Sequence, residues 1–162
     1  MFLFVLSTLF NYSYAKDHGN GIIIHKQNYP KMEMQWNTTP SVIVCSDSPY
    51  TKETVVKAVN IWNREGVALG DVYLENDHNK CNFKSGKKDF IQIAGYRGNF
   101  NQKEYYAFTW DWPLYSGSTQ KRSSKIEFAT DTSRYNLKLL VHELGHTLGY
   151  DHYDHKYDIM NR

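Results

Sequence analysis

Near the end of the sequence, four residues have types and a spacing that could bind a metal ion. His142 and His146 are four residues apart, so on a helix their imidazoles lie on one face, one turn from each other. Glu143 follows His142 and would project toward a water molecule on the ion. Gly149 can adopt the positive φ that ends a helix and turns the chain, so that His152 returns as a third ligand. The pattern predicts a three-histidine metal site with a carboxylate beside it.

The pattern is specific because five positions must agree, and three of them are histidine. A chance match in a chain of this length is expected on the order of once in ten thousand. The alternative is that these histidines lie on the surface at a helix end and that Glu143 is a solvated charge.

Residues 142–152 resemble the long zinc-binding motif of the metzincin metalloproteases, and Asp158, Ile159 and Met160 resemble their Met-turn. Among the subfamilies the chain is most similar to the matrixins, because the methionine follows closely and the order of strands and helices is similar from about Trp36 onward. The resemblance implies a metzincin, zincin-like catalytic domain whose second main helix carries the zinc motif.

This resemblance also implies a zinc-dependent metalloendopeptidase that hydrolyses peptide bonds in extended protein segments. His142, His146 and His152 would bind one catalytic Zn²⁺ ion, and Glu143 would act as general base on a zinc-bound water. Met160 would form an apolar floor beneath the imidazoles without binding the ion. The alternative for Met160 is an ordinary buried methionine near a chain end.

Two other functions are compatible with the same residues. One is a non-catalytic peptide-binding module that zinc stabilises, although a structural site has no use for a carboxylate such as Glu143 beside an open coordination position. The other is a zinc amidase acting on cell-wall peptide crosslinks, which keeps the mechanism and changes the substrate.

Other histidines and tyrosines are expected on the surface, so we predict one zinc ion. The scattered histidines are His18, His25, His78 and His155. Three tyrosines near the third ligand could steady an oxyanion, but exposed loop positions are the favoured interpretation. They are Tyr150, Tyr153 and Tyr157.

Two segments have the pattern of main helices. Residues 52–64 have a cap in Thr51 and a stop in Gly66. Their apolar face consists of Val55, Val56, Val59 and Trp62. Residues 135–148 follow the cap formers at 130–133 and carry the first two histidines of the metal pattern.

Runs of β-branched and aromatic residues predict the strands. They cover residues 42–45, 71–74, 90–94, 105–110 and 125–129, with a possible short early strand at 22–24. The order of elements predicts an α/β (α+β) fold, with a mixed twisted sheet of about five strands and two main helices. We expect the first crossover to be parallel.

Residues 105–110 correspond to the edge strand on which metzincins bind an extended substrate through main-chain hydrogen bonds. The candidate substrate-binding residues are Tyr106, Ala107, Phe108 and Thr109. A central or capped strand is the alternative, because strand order cannot be read from one sequence.

The chain is expected to be a small, single-domain monomer, and the resemblance implies a protein or peptide substrate. The 162 residues suffice for one domain, which we place at 16–162. Nineteen basic and seventeen acidic residues give a net charge of +2, which is too small to favour nucleic acid or a membrane surface. No stable membrane insertion is expected, since the apolar stretch at 2–10 is too short to span a bilayer.

That apolar stretch, followed by small residues up to Ala15, predicts a signal peptide at 1–15 and a secreted, extracellular or periplasmic protein. The segment lacks a basic n-region, and a buried or membrane-lying N-terminal strand or helix is the alternative. If the chain is exported, Cys45 and Cys81 are expected to form a disulfide. Two free buried thiols are the alternative.

Overall fold

The computed structural model describes residues 16–19, 21–81, 87–96, 106–129 and 136–162. The predicted signal peptide at 1–15 and the predicted cap formers at 130–133 lie outside these ranges. The strands are β1 (Lys16–Asp17), β2 (Ile23–Ile24), β3 (Ser41–Cys45), β4 (Val72–Glu75), β5 (Phe90–Gly95), β6 (Ala107–Pro113) and β7 (Lys121–Phe128). The helices are α1 (Lys52–Arg64), α2 (His78–Cys81) and α3 (Leu137–Thr147), with a 3-10 turn at Lys26–Asn28.

The main sheet has five strands in the order β4-β3-β5-β7-β6. Strands β3, β4, β5 and β7 are parallel, whereas β6 pairs antiparallel with β7 at one edge. The crossover from β3 through α1 to β4 is therefore parallel, as expected. The prediction of a mixed α/β fold with about five strands and two main helices is confirmed at this level.

Helix α1 has the predicted bounds because the signals at both of its ends are local. Thr51 Oγ1 accepts a hydrogen bond from the backbone N–H of Thr54 over 3.3 Å, and Gly66 adopts φ 72° just beyond the last turn. Helix α3 begins two residues later than predicted, because Asn136 is its cap and accepts from the N–H of Leu139 over 3.0 Å. None of the helices in the described ranges has the length and apolar character needed to cross a membrane.

Strands β6 and β7 both differ from their predicted ranges. β6 runs from Ala107 to Pro113 instead of 105–110, and β7 begins at Lys121, four residues earlier than predicted. The polar residues at the start of β7 are buried, which hydropathy does not indicate. Pro113 is tolerated because it lies on the edge strand at a register shift.

Both main helices pack on the same face of the sheet. Apolar side chains that alternate along β3, β5 and β7 meet those of α1 and α3 in one core, whose central members include Val44, Trp62, Ile93, Ile126 and Leu140. The opposite face is covered around β3 and β5 by a smaller cluster, where a disulfide joins Cys45 to Cys81. The metal-binding pattern on α3 therefore lies on the face that carries both helices.

Candidate metal centre

The end of α3 turns the chain back on itself, and this turn positions the third histidine. Gly149 adopts φ 86°, its N–H donates to His146 O over 2.9 Å, and the N–H of Tyr150 donates to Gly145 O over 3.0 Å. These two bonds are the pair that defines a Schellman motif. A residue with a side chain at Gly149 would be strained at this φ, so the predicted role of that glycine is confirmed.

Backbone carbonyls orient the two imidazoles on α3. His142 Nδ1 lies 2.7 Å from Ile159 O, and His146 Nδ1 lies 2.9 Å from Tyr150 O. A carbonyl oxygen can only accept, so both Nδ1 atoms carry the hydrogen, and in the neutral imidazole Nε2 then has the lone pair. The two Nε2 atoms are 3.1 Å apart. Two lone pairs at this separation repel each other unless a cation lies beside both.

His152 completes the group from the loop that follows α3. One nitrogen from each of His142, His146 and His152 lies within 4.8 Å of the others, and within the described ranges this is the one group of three or more such side chains that could hold a metal ion. The expected histidine ligand set is thus brought together in space.

The donor set fits a tetrahedral ion. Nitrogens bound at about 2.0–2.1 Å to such an ion are separated by about 3.3 Å, close to the Nε2 separation of His142 and His146. Burial lowers the pKa of His146 to about 4, and burial also lowers the pKa of His152. Neutral imidazoles are the form that binds metals, so the fold keeps these two side chains ready for an ion at neutral pH.

Glu143 lies beside the histidines in a largely buried position, with 8% of its surface exposed. Its Oε2 accepts a hydrogen bond from Thr109 Oγ1 on β6 over 3.0 Å. Burial raises the pKa of Glu143, while the electrostatic interaction with the His142 ring and the hydrogen bond from Thr109 act in the opposite direction. A carboxyl group with a raised pKa next to a metal site is suited to accept a proton at neutral pH.

Met160 lies fully buried against α3, and Gly145 makes this packing possible. A Cβ atom at residue 145 would collide with Met160 Sδ and would lie 2.9 Å from Cζ2 of Trp62. Gly145 lies inside α3, and the absence of a side chain there lets Met160 approach the helix.

An open cleft of about 1330 Å³ borders the three histidines. All four candidate substrate-binding residues line it, together with the three histidines and Glu143. Three of the four belong to β6, and Tyr106 precedes that strand with 45% of its surface exposed. The predicted edge position is observed, since β6 is the last strand in the order of the sheet.

The prediction of surface positions is wrong for His18 and Tyr150, and His25 is half-buried beside a buried carboxylate. The side chain of His18 is 1% exposed and its Nε2 lies 2.6 Å from Glu65 Oε1, while His25 Nδ1 lies 2.7 Å from Asp158 Oδ2. Tyr150 is buried and stacks on Trp62 at a centroid distance of 5.5 Å. Both errors have the same cause, because the burial of His18 and Tyr150 comes from partners far away in the sequence.

The remaining histidines and tyrosines that were predicted to lie on the surface differ in their exposure. His155 and Tyr157 are exposed as expected, and Tyr153 is half-buried. His78 is the first residue of α2, and its expected surface position stays a prediction.

The burial of two ionisable residues near the site was not expected from the sequence. Lys121 is 1% exposed and donates to Asp111 Oδ2 over 2.7 Å and to Thr147 O, at the end of α3, over 2.8 Å. Asp158 is buried under the N-terminal segment. Local sequence gives no signal for either, because a buried lysine and a surface lysine look the same in a sequence.

Neither a family model nor a curated protein matches this chain. The three histidines lie close enough together to bind a metal ion.

Proposed function

We propose that this protein is a zinc-dependent metalloendopeptidase of the metzincin type, most similar to the matrixins, which hydrolyses peptide bonds in extended segments of proteins. The observation that carries the proposal is the convergence of two lone-pair Nε2 atoms and a third imidazole beside a buried carboxylate. A structural metal site would have four protein ligands and no need of Glu143.

Zinc is the ion we assign, because three imidazoles with an open fourth position are a common catalytic zinc set. When bound, such an ion lowers the pKa of water and polarises a carbonyl group. His142, His146 and His152 would hold it through imidazole nitrogens. The carbonyls of Ile159 and Tyr150 would keep the first two rings in the required tautomer.

Glu143 is assigned as the general base. Thr109 engages Oε2, so Oε1 is the atom that we assign to proton transfer. Burial disfavours the charged form of Glu143. The pKa of this carboxyl group is therefore raised toward the pH at which the protein would work. The same carboxyl group would then deliver the proton to the leaving amine.

Edge strand β6 supports an extended peptide as the substrate. Its partner β7 occupies one side, and the cleft that borders Glu143 runs beside it. A peptide that pairs with the backbone of β6 would be held by main-chain hydrogen bonds, with little dependence on its sequence. The residues at this position are Tyr106, Ala107, Phe108 and Thr109.

Export is part of the proposal and is supported by the disulfide between Cys45 and Cys81. Such bonds persist in oxidising compartments and are rare in the cytosol. Expression of the full chain followed by thiol labelling of the cellular and external fractions tests this point. Labelled, reduced cysteines in protein found only inside the cell would contradict it.

The test of the activity compares wild type with Glu143→Gln on a mixed protein substrate, with and without a metal chelator. We expect wild type to cleave, the chelator to stop cleavage and added Zn²⁺ to restore it. Glu143→Gln should bind zinc and be slower by about a hundredfold or more. Asp154→Asn, which removes an exposed carboxylate from the loop after α3, is the matched control and should cleave as wild type does.

Equal cleavage by wild type and Glu143→Gln would overturn the assigned general base. Zinc binding without cleavage of any protein would overturn the endopeptidase assignment. Cell-wall peptide crosslinks then serve as a second substrate arm, since cleavage there would identify an amidase, and failure there would identify a binding module.

A further inference from the structure

The N-terminal segment 21–32 runs alongside the loop that carries His152 and Met160. The N–H of Ile159 donates to Ile23 O, the N–H of Asp151 donates to Pro30 O, and the N–H of Met32 donates to Gly149 O, each over 2.8 Å. The loop 149–160 is thus hydrogen-bonded at both of its ends to a segment more than a hundred residues earlier in the chain.

Asp158 is the centre of this contact, and its side chain is fully buried. Oδ2 accepts hydrogen bonds from the backbone N–H of His25 over 2.9 Å, from His25 Nδ1 over 2.7 Å and from the hydroxyl of Tyr29 over 3.0 Å. Oδ1 accepts from the N–H of Met160 over 2.6 Å. One carboxylate thereby fixes the backbone on both sides of Ile159.

This fixed backbone reaches the metal-binding group through a single carbonyl. Ile159 O accepts the hydrogen of His142 Nδ1, and that bond decides which nitrogen of His142 has its lone pair beside the other two imidazoles. If the peptide groups around Ile159 could rotate, the imidazole would lose both its preferred tautomer and its orientation.

We propose that Asp158, held by His25 and Tyr29, is a positioning residue for the metal centre, and that the N-terminal segment is therefore a working part of that centre. The inference rests on the metal-binding half of the proposed function and does not depend on peptide hydrolysis. Asp158 acts through Ile159 and His142 and has no contact with an ion.

The experiment measures Zn²⁺ affinity of the full chain by competition with a chromophoric chelator, together with the visible absorption spectrum of the Co²⁺-substituted protein. The variants are Tyr29→Phe, which removes one hydroxyl, and Asp158→Asn, which cannot present two acceptor oxygens. The matched control is Tyr50→Phe, because buried Tyr50 donates its hydroxyl to Asn136 O at the other end of α3.

We expect Asp158→Asn to weaken Zn²⁺ binding by about 10- to 100-fold and Tyr29→Phe by about tenfold, each with a changed Co²⁺ spectrum. Tyr50→Phe should leave both readouts as in wild type. A purely structural role would lower the denaturation midpoint of the metal-free protein and leave the Co²⁺ spectrum of the folded fraction unchanged.

Wild-type affinity and spectra in both variants would overturn the inference and leave the proposed metal site standing. The inference would also be overturned if Tyr29→Phe lost no more Zn²⁺ affinity than Tyr50→Phe. Failure of wild type itself to bind Zn²⁺ or Co²⁺ would overturn the proposed function and this inference together. If Asp158→Asn does not fold, Tyr29→Phe decides, since it removes a single oxygen atom.

Discussion

Thr109 on β6 donates its hydroxyl hydrogen to Oε2 of Glu143 on α3 over 3.0 Å, so the edge strand and the carboxylate beside the histidines are in direct contact. If Glu143 is the general base, Thr109→Val should lower kcat by about tenfold with little change in KM, because a hydrogen bond to a charged group contributes about 1.5–3 kcal/mol. Steady-state kinetics on a peptide substrate measures both constants.

Thr109→Ser keeps the hydroxyl and is the control for that experiment. It should retain most of the wild-type kcat. Equal losses in the valine and serine variants would show that the methyl group of Thr109, and not its hydrogen bond to Glu143, is what matters.

Gly145→Ala should destabilise the protein by about 1–3 kcal/mol, since the added methyl group collides with Met160 and Trp62. The sign is informative, because alanine in place of glycine inside a helix ordinarily stabilises by about 1 kcal/mol. Urea denaturation of the metal-free protein measures the difference. In a protein that also carries Met160→Ala, which empties the space, Gly145→Ala should lower the free energy of unfolding by less. Stabilisation by Gly145→Ala alone would contradict the observed packing.

Lys121→Met should destabilise by about 3–5 kcal/mol, because it leaves the carboxylate of Asp111 in a buried position without its cation. The same change removes a donor from the last carbonyls of α3, at His146 and Thr147. Chemical denaturation gives the free energy of unfolding, and the double variant with Asp111→Asn should recover part of the loss. If the changes in unfolding free energy caused by the two substitutions simply add, Lys121 and Asp111 do not act as a coupled pair.

The metal-free protein should lose stability as the pH falls below about 6.5, the ordinary pKa of histidine. Burial lowers the pKa of His146 to about 4 in the folded chain, so the unfolded chain takes up this proton first. The contribution of His146 to the free energy of unfolding is present above pH 6.5 and is lost as the pH falls toward 4. The loss is about 2 kcal/mol between about pH 7 and about pH 5.

Denaturation at several pH values, with His146→Gln as the control, measures this contribution. The variant should have a shallower pH dependence than wild type over that window. The raised pKa of Glu143 acts in the opposite direction, with stability lost as the pH rises through it, and it is present in both proteins. Identical slopes would contradict a buried neutral His146.

Replacing Cys45 and Cys81 by serine should destabilise by about 3–4 kcal/mol, because the bond joins residues 36 apart and restricts the unfolded chain. Zn²⁺ affinity of the folded protein should be unchanged, since the disulfide lies on the sheet face opposite the metal-binding helix. Denaturation midpoints and chelator competition measure the two effects separately. A large loss of affinity at full folding would contradict this separation.

Elements with local signals could be predicted well from the sequence. Helix α1 was predicted at its observed bounds because Thr51 and Gly66 mark its ends. The beginning of β7 was missed, because its buried Lys121, Ser123 and Ser124 resemble a surface loop until their partners are known. The start of α3 was misplaced for a related reason, since several residues before it could serve as caps and Asn136 is the one that does.

Within the site, the contacts between residues close in the sequence could be predicted, and those between distant residues could not. The three histidines, Glu143 and Gly149 lie within eleven residues, so helical periodicity and one glycine were enough to predict that they meet. Asp158 meets His25 and Tyr29 across about 130 residues of chain, and no local pattern encodes that distance.

The sequence by itself determined which three histidines come together, the carboxylate beside them and the order of the main strands and helices, because spacing along one helix and one turn is a local property. The tertiary structure decided that β6 is the edge strand, that Thr109 contacts Glu143 and that the N-terminal segment fixes Asp158. These relationships depend on which distant segments pack together, and that is set by the burial of the whole core.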